Sequence, residues 1–364
     1  MTHPPKNPQK SPPTRRSTAK PSPHRKAGQA GAGAPPANPR TVAIACQGGG
    51  SHTAFTGGVL QSLLGGIDPQ HHRVSGLSGT SGGALCAAVA WFGLLQDKPA
   101  LGATLLESFW QEMAAQQLPD AVSNQFLVWL QRSSAWLALP EISPYQLPPT
   151  GQKYLAEVIA RHVEFARLPA LVKPASPRLL VGAVDVLSGQ FEVFHSHHAS
   201  PQKRIGVDAL LASAAIPELF RAVPVGDGRY WDGLFSQNPP VRGFLSDVAE
   251  RDAKPDEIWV IQINPDRRAD EPRSTSDIAD RRNELAGNLS LRQEQFFIEQ
   301  ANAWLAKGWL SAEHFKPVTI RYIPLGLDLD YPSKLDRSPA FIDTLLAEGR
   351  RAGSEFIRQL AAAP

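Results

Sequence analysis

The chain has 364 residues, with 37 Lys and Arg against 34 Asp and Glu, and this nominal balance of +3 conceals a split. Residues 1 to 40 hold eight basic residues, ten prolines and no acid, which leaves the following 324 with 29 basic and 34 acidic residues, a net of −5. A domain-wide basic surface for nucleic acid is therefore not expected, and a body of that length can bury a full α/β core without staples.

The basic, Pro-rich tail over residues 1–40 has too little apolar surface to offset ordering entropy and is expected to be disordered to about Pro39. Arg15 and Arg16 are followed by no apolar stretch, so neither a secretory nor a twin-arginine signal is expected. Cys46 and Cys86 both sit in apolar runs, with no disulfide framework and no structural metal spacing. A reducing, cytoplasmic setting follows, with peripheral contact to a membrane left open. The longest nearly unbroken apolar run, Gly82 to Leu95, suits a buried helix and is short of the roughly 20 residues that span a bilayer.

From Thr41 the pattern alternates. TVAIAC predicts a strand and Ala54 to Leu64 a helix; VSGLSG predicts the next strand and Gly82 to Leu95 the next helix. Leu101 to Pro149 loses the strand signal and predicts a helical insertion beside the sheet. There Val122, Phe126, Trp129 and Trp136 follow helical spacing, with Leu127, Leu130 and Leu137 alongside. Such a stripe is most often core, and the sharper alternative is a lid or a helix that meets lipid. Further on, Gly151 to Ala166 predicts a helix, RLLVGAVDV and QFEVFHS strands, Val207 to Ala215 a helix, RAVPV, DEIWVIQIN and PVTIRYIPL strands, and Pro339 to Leu360 a closing helix. Strands interleaved with helices predict an α/β fold with a doubly wound, mainly parallel sheet, and no solenoid or propeller repeat is present.

Three segments carry chemistry. Gly79-Thr80-Ser81-Gly82-Gly83 places a Gly-x-Ser-x-Gly pattern between a strand and a helix, where a sharp turn would expose Ser81 and the helix N-terminus would favour nearby negative charge. A purely structural turn of the same spelling is an equal alternative. Gly48, Gly49 and Gly50 also lie between a strand and a helix, and their uncovered N–H groups could hold a phosphate or a developing oxyanion. A nucleotide loop is disfavoured, because neither Gly-x-Gly-x-x-Gly nor Gly-Lys-Ser/Thr is found there. Asp232 follows an apolar strand end and precedes Gly233, usually a turn position, yet a serine nucleophile needs a base. His195, His197 and His198 fall in a polar stretch that suggests exposure, and His314 remains the rival base in Ser-Asp-His order.

Taken together the three segments resemble the patatin-like phospholipase family. Gly48, Gly49, Gly50, Gly58, Val59 and Leu60 fit its first block; Gly79, Ser81, Gly83 and Ala84 its second; Ala212 or a neighbour, Ile216, Pro217, Phe220, Asp232, Gly233, Asn238 and Pro240 its third. The resemblance implies a three-layer fold over residues 41–364, with a mainly parallel central sheet flanked by helices and the insertion at about 101–150. It further implies Ser81 as nucleophile, Asp232 as the base of a two-residue dyad, and the amides of Gly48, Gly49 and Gly50 as the oxyanion hole. A carboxylate is a poor base for an alcohol, so burial should raise the Asp232 pKa. The implied activity is lipid acyl hydrolysis, on carboxylic esters of phospholipids or related lipids at an interface, with neither metal nor organic cofactor.

Three positions depart from the family pattern, with Thr53 standing where the family carries Gly. His52 stands where the family carries Arg or Lys, so any charge beside the glycine loop is expected to vary near neutral pH. Leu234 replaces a second glycine after the aspartate. A short-chain esterase or polyester depolymerase with the same dyad, a Ser-His-Asp hydrolase and a non-catalytic lipid-binding protein are the other readings. The tail could attract anionic membrane or be only a solubilising extension.

Overall fold

The computed structural model describes residues 38–133, 143–217 and 219–362. The tail expectation up to residue 37, and those for the side chains of Phe126, Leu127, Leu130, Trp136 and Leu137, lie outside the described residues, while Arg40, counted with the tail, begins the first strand.

Strand β1 (Arg40–Cys46) is buried along nearly its whole length, as a strand covered on both faces must be. It leads through a short 3-10 turn at Gly50–Thr53 into α1 (Ala54–Gly66), then β2 (His72–Gly79) and α2 (Gly82–Leu94). Helices α3 (Pro99–Met113), α4 (Leu118–Ser133), α5 (Thr150–His162) and the single turn α6 (Leu168–Leu171) follow. Next come β3 (Arg178–Asp185), β4 (Phe191–His195), α7 (Val207–Ser213), β5 (Val223–Val225), β6 (Gly228–Asp232) and the short α8 (Gly243–Ser246). The chain closes with β7 (Glu257–Gln262), α9 (Thr275–Ala306), β8 (Thr319–Pro324), a 3-10 turn at Tyr331–Leu335, and α10 (Pro339–Ala362).

The strands form one mixed sheet in the order β5-β6-β3-β2-β1-β7-β8, with β4 also paired to β3. β3, β2, β1, β7 and β8 are mutually parallel, while β4 and β6 each pair antiparallel with β3, and β5 pairs antiparallel with β6. The prediction of a mainly parallel sheet holds, with an antiparallel margin that it lacked.

One face of the sheet packs on α1, α2, α3 and α10 through Ile44, Phe55, Leu77, Trp91, Phe109 and Leu345. α2 is hydrophobic all round and buried all round, from Gly82 to Gly93. The other face packs on α9, whose Leu291 and Ile298 meet Ala43, Ala45, Ile258 and Val260.

The predicted insertion divides. α3 is core, with Leu106, Phe109 and Trp110 buried, whereas α4 leaves Val122 64% and Trp129 54% exposed while burying Val128. Of the stripe itself, Val122 and Trp129 are exposed, which goes against the core reading there; the buried residues Leu106, Phe109 and Trp110 belong to α3, outside the stripe. Among the described residues no helix is long and apolar enough to cross a membrane.

Candidate active site

The carboxyl ends of β1, β2, β3, β7 and β8 share one edge of the sheet. β2 stops at Gly79 and α2 starts at Gly82, so the chain reverses across Thr80 and Ser81 alone. Ser81 adopts φ 56° and ψ −135°, a left-handed conformation that a residue with a Cβ occupies only when its surroundings hold it there. Its amide N–H is shared between the carbonyl and the hydroxyl of Ser213 at the end of α7, at 3.1 and 3.0 Å. The Ser213 hydroxyl in turn donates to the Gly182 carbonyl of β3 at 2.7 Å. Sequence reading passed over Ser213, although it lies inside the third chemistry-bearing segment.

Asp232 reaches the same place from the opposite direction. β6 runs inward from the edge, pairing Tyr230 with Asp185 and Asp232 with Ala183, so the carboxylate ends below the rim and is 1% exposed. Its Oδ1 accepts the Leu234 N–H at 2.8 Å. Burial pushes the carboxyl up to about 7, against the downward pull of the Leu234 amide and the Ser81 hydroxyl. The serine thus acts on the aspartate, although their side chains share no hydrogen bond of ordinary length and angle in this structure. Such contacts commonly tighten only when substrate binds. Because Leu234 supplies that N–H from the backbone, its departure from glycine leaves the contact intact.

The triple-glycine loop lies against the serine turn. A Cβ on Gly48 would sit 2.7 Å from the Thr80 carbonyl and 3.0 Å from Ser81 Cβ, so only glycine permits this approach. The Gly48 N–H, however, donates to Asn238 Oδ1 at 2.7 Å. Of the three amides expected to bind an oxyanion, this one is already engaged. Among the described residues the N–H groups of Gly49 and Gly50 have no acceptor, and Gly50 holds φ +58° with its Cα against the Lys334 carbonyl.

Buried polar side chains behind the loop fix it. Gln47 Oε1 accepts from the Ile263 and Asn264 amides at 2.8 and 2.9 Å, while its Nε2 donates to the Gly287 carbonyl and Asn288 Oδ1 of α9. Asn238 Nδ2 also donates to the Gly287 carbonyl. Asn238 was visible in the sequence as part of a motif, but Gln47 and α9 were not.

His52 corrects an expectation. It is buried, its Nε2 lies 2.8 Å from Ser333 Oγ, and burial together with the Lys334 charge lowers its pKa to about 3. It is therefore neutral throughout the neutral range and contributes no varying charge. The other histidines considered as bases lie away from the site. His195 pairs with Leu180 near the start of β3, at the opposite edge of the sheet. His197 and His198 follow it directly, and exposed His314 precedes the start of β8 at that same edge. The rival base is thus separated from Ser81 by the length of the sheet. Among the described residues no group of three or more His, Cys, Asp or Glu could hold a metal ion. Cys46 and Cys86 are buried thiols whose pKa values burial raises, that of Cys86 to about 12, so neither supplies a thiolate.

A family model for patatin-like phospholipases matches residues 44–245, which contain the serine turn, the glycine loop and Asp232. The chain belongs to the patatin-like phospholipase family. No curated protein sequence matches it. Among solved structures it is similar to VipD from Legionella pneumophila, at 13% identity and a TM-score of 0.37, covering 88% of this chain and 67% of that one. It is also similar to the type III effector protein ExoU, at 16% identity and a TM-score of 0.37, covering 90% of this chain and 54% of that one. ExoU in its complex with SpcU, from the type III secretion system of Pseudomonas aeruginosa, matches at 16% identity and a TM-score of 0.33. This patatin-like chain spans about half the length of ExoU, and its membership rests on the family match instead of on these loose superpositions.

Proposed function

We propose that the chain is a lipid acyl hydrolase that cleaves carboxylic esters through Ser81 and Asp232. One observation carries the reading: a serine held at positive φ faces a buried carboxylate whose pKa lies near 7. A carboxylate at its ordinary pKa takes a proton from an alcohol poorly, and one raised to about 7 is a better base while still ionised at slightly alkaline pH.

As Asp232 takes the hydroxyl proton, Ser81 Oγ attacks the ester carbonyl. The charge pushed onto the carbonyl oxygen falls to the amides of Gly49 and Gly50, which no other acceptor occupies, and to the field at the start of α2. Gly48 instead holds the loop in place through Asn238. The tetrahedral intermediate collapses, the C–O bond to the alcohol breaks, and Asp232 returns its proton to the leaving oxygen. Water, deprotonated by Asp232, then attacks the acyl carbon; the ester bond to Ser81 breaks, the acid leaves, and Asp232 returns the proton to Ser81 Oγ. Exposed Leu187, in the turn beyond β3, and exposed Phe235, three residues after Asp232, favour a lipid surface as the source of substrate.

The test is fluorophosphonate labelling of wild type, Ser81→Ala and Asp232→Asn, followed by turnover of phospholipid, neutral-lipid and short-chain esters. Wild type should label and turn over; Ser81→Ala should do neither; Asp232→Asn should lose at least about 10³-fold in turnover. Equal labelling of all three would sink the dyad. Lipid binding with no labelling of the wild type would leave a non-catalytic binding protein.

A further inference from the structure

Lys334 is a half-buried cation behind the triple-glycine loop. It lies in the 3-10 turn Tyr331–Leu335, remote in sequence from every segment described above. Its Nζ donates to Asn264 Oδ1 at 2.9 Å and to Asn283 Oδ1 of α9 at 2.6 Å. Asn264 also donates its backbone N–H to Gln47 Oε1, so the ammonium is two side chains away from Gly48. The backbone of the same turn touches the loop directly. A Cβ on Gly50 would lie 2.3 Å from the Lys334 carbonyl oxygen, and Ser333 Oγ meets His52 Nε2 at 2.8 Å. Both flanks of the loop therefore rest on this one residue, the Gln47 side through its ammonium and the Gly50 side through its carbonyl.

The charge has little solvent to dissipate it. The adjoining cavity, lined by His52, Asp280, Glu284, Asp330 and Tyr331 among others, is about 20 Å³, room for a single water. Asp280 and Glu284 face the ammonium from α9, Asp330 precedes its turn, neutral His52 faces it from the glycine loop, and the Tyr331 ring lies 5.7 Å away. Glu284 is itself paired with Arg268 and Arg281. A methionine or glutamine would fill the space without desolvating a cation. A cation in this place supplies something they do not, a positive field at the loop where negative charge is to form.

We propose that Lys334 is a positioning residue for ester hydrolysis, which fixes Gly50 with its N–H unengaged and favours an oxyanion on the loop's amides. This rests on the hydrolase reading above. Burial lowers the ammonium's pKa to about 8. The kcat/KM profile should therefore rise through about pH 7 as Asp232 ionises and fall through about pH 8 as Lys334 loses its proton.

The experiment compares full-length wild type, Lys334→Met and Lys334→Arg on a soluble p-nitrophenyl ester from pH 6 to 10. Rates are expressed per site titrated by the fluorophosphonate. Lys334→Met should lose about 10- to 100-fold in kcat with KM within about twofold, and should lack the alkaline limb. Lys334→Arg should regain most of the rate and keep it beyond pH 9. If Lys334→Met merely has fewer titratable sites, with unchanged kcat per site, the residue is structural and the proposal is overturned. Should Lys334→Met fail to fold, an alkaline limb near pH 8 that persists in Lys334→Arg overturns it equally. A wild type that neither labels nor turns over removes the hydrolase reading and this one with it, a result distinct from both.

Discussion

Helices α2 and α9 both start near the catalytic edge, one on each face of the sheet, and they are built on opposite rules. α2 buries an unbroken series of small and apolar residues and presents Ser81 at its head. α9 begins with a capping box of Ser274 and Asp277, and buries Glu284, Gly287, Asn288 and Glu294 besides Leu291 and Ile298. Those polar groups are satisfied by the site: Asn288 by Gln47, and Glu294 by Gln237 and the Arg242 amide at 2.9 and 2.5 Å. The face with Ser81 is held by exclusion of water, and the face that braces it by directional hydrogen bonds. The first tolerates a change of shape better than the second tolerates the loss of one atom.

The contrast can be broken at Asp232, where the largest effect is expected. Asp232→Asn keeps the acceptor for Leu234 and should abolish turnover while raising stability at high pH. The native carboxyl holds its proton to about 7 against an ordinary 3.8. Unfolded chains therefore bind fewer protons between those values, and the native state loses stability as pH rises through them, by up to about 4 kcal/mol. Thermal melts of wild type and variant should coincide near pH 4 and separate by pH 8, with the variant higher. A wild type whose Tm is flat over that range would show Asp232 to be better solvated than its burial indicates.

The bracing side is tested at Gln47. Gln47→Ala leaves the Ile263 and Asn264 amides and Asn288 without their partner. At about 1–3 kcal/mol for each buried group left unpaired, the loss should reach about 3 kcal/mol by urea titration. A loss below about 1 kcal/mol would mean that water replaces the side chain and that the polar face is less directional than drawn here. The smallest effect belongs to the exposed side of α4, whose Asn124 nonetheless holds the Leu335 carbonyl at the turn Tyr331–Leu335. Trp129→Ser should change stability by no more than about 0.5 kcal/mol, while weakening co-sedimentation with phospholipid vesicles if α4 meets lipid.

What was legible in the sequence follows the same division. The serine turn, the glycine loop and the aspartate are each written within a dozen neighbouring residues, because a strand-to-helix turn needs small residues at fixed offsets. α9 was missed because most of its buried positions are Glu, Gly and Asn, which leaves Leu291 and Ile298 too sparse for an apolar period, although Ser274 and Asp277 marked its start. β6 was not separated from β5, since only Gly226 and Gly228 punctuate the hairpin between them. The neutrality of His52 and the engagement of the Gly48 amide depend on Ser333, Lys334 and Asn238, partners far along the chain, and no local pattern predicts them.

The inward run of β6 has one more consequence. During synthesis the first two strands and α2 emerge together, and the serine turn with them, long before β6. Asp232, the proposed base, arrives only when a late antiparallel strand docks on β3 and carries its carboxylate below the rim. On the proposed dyad, an N-terminal fragment, however well it folds, holds a serine with no proton acceptor, so hydrolysis would require β6 and would double as a report that the long-range pairing has closed.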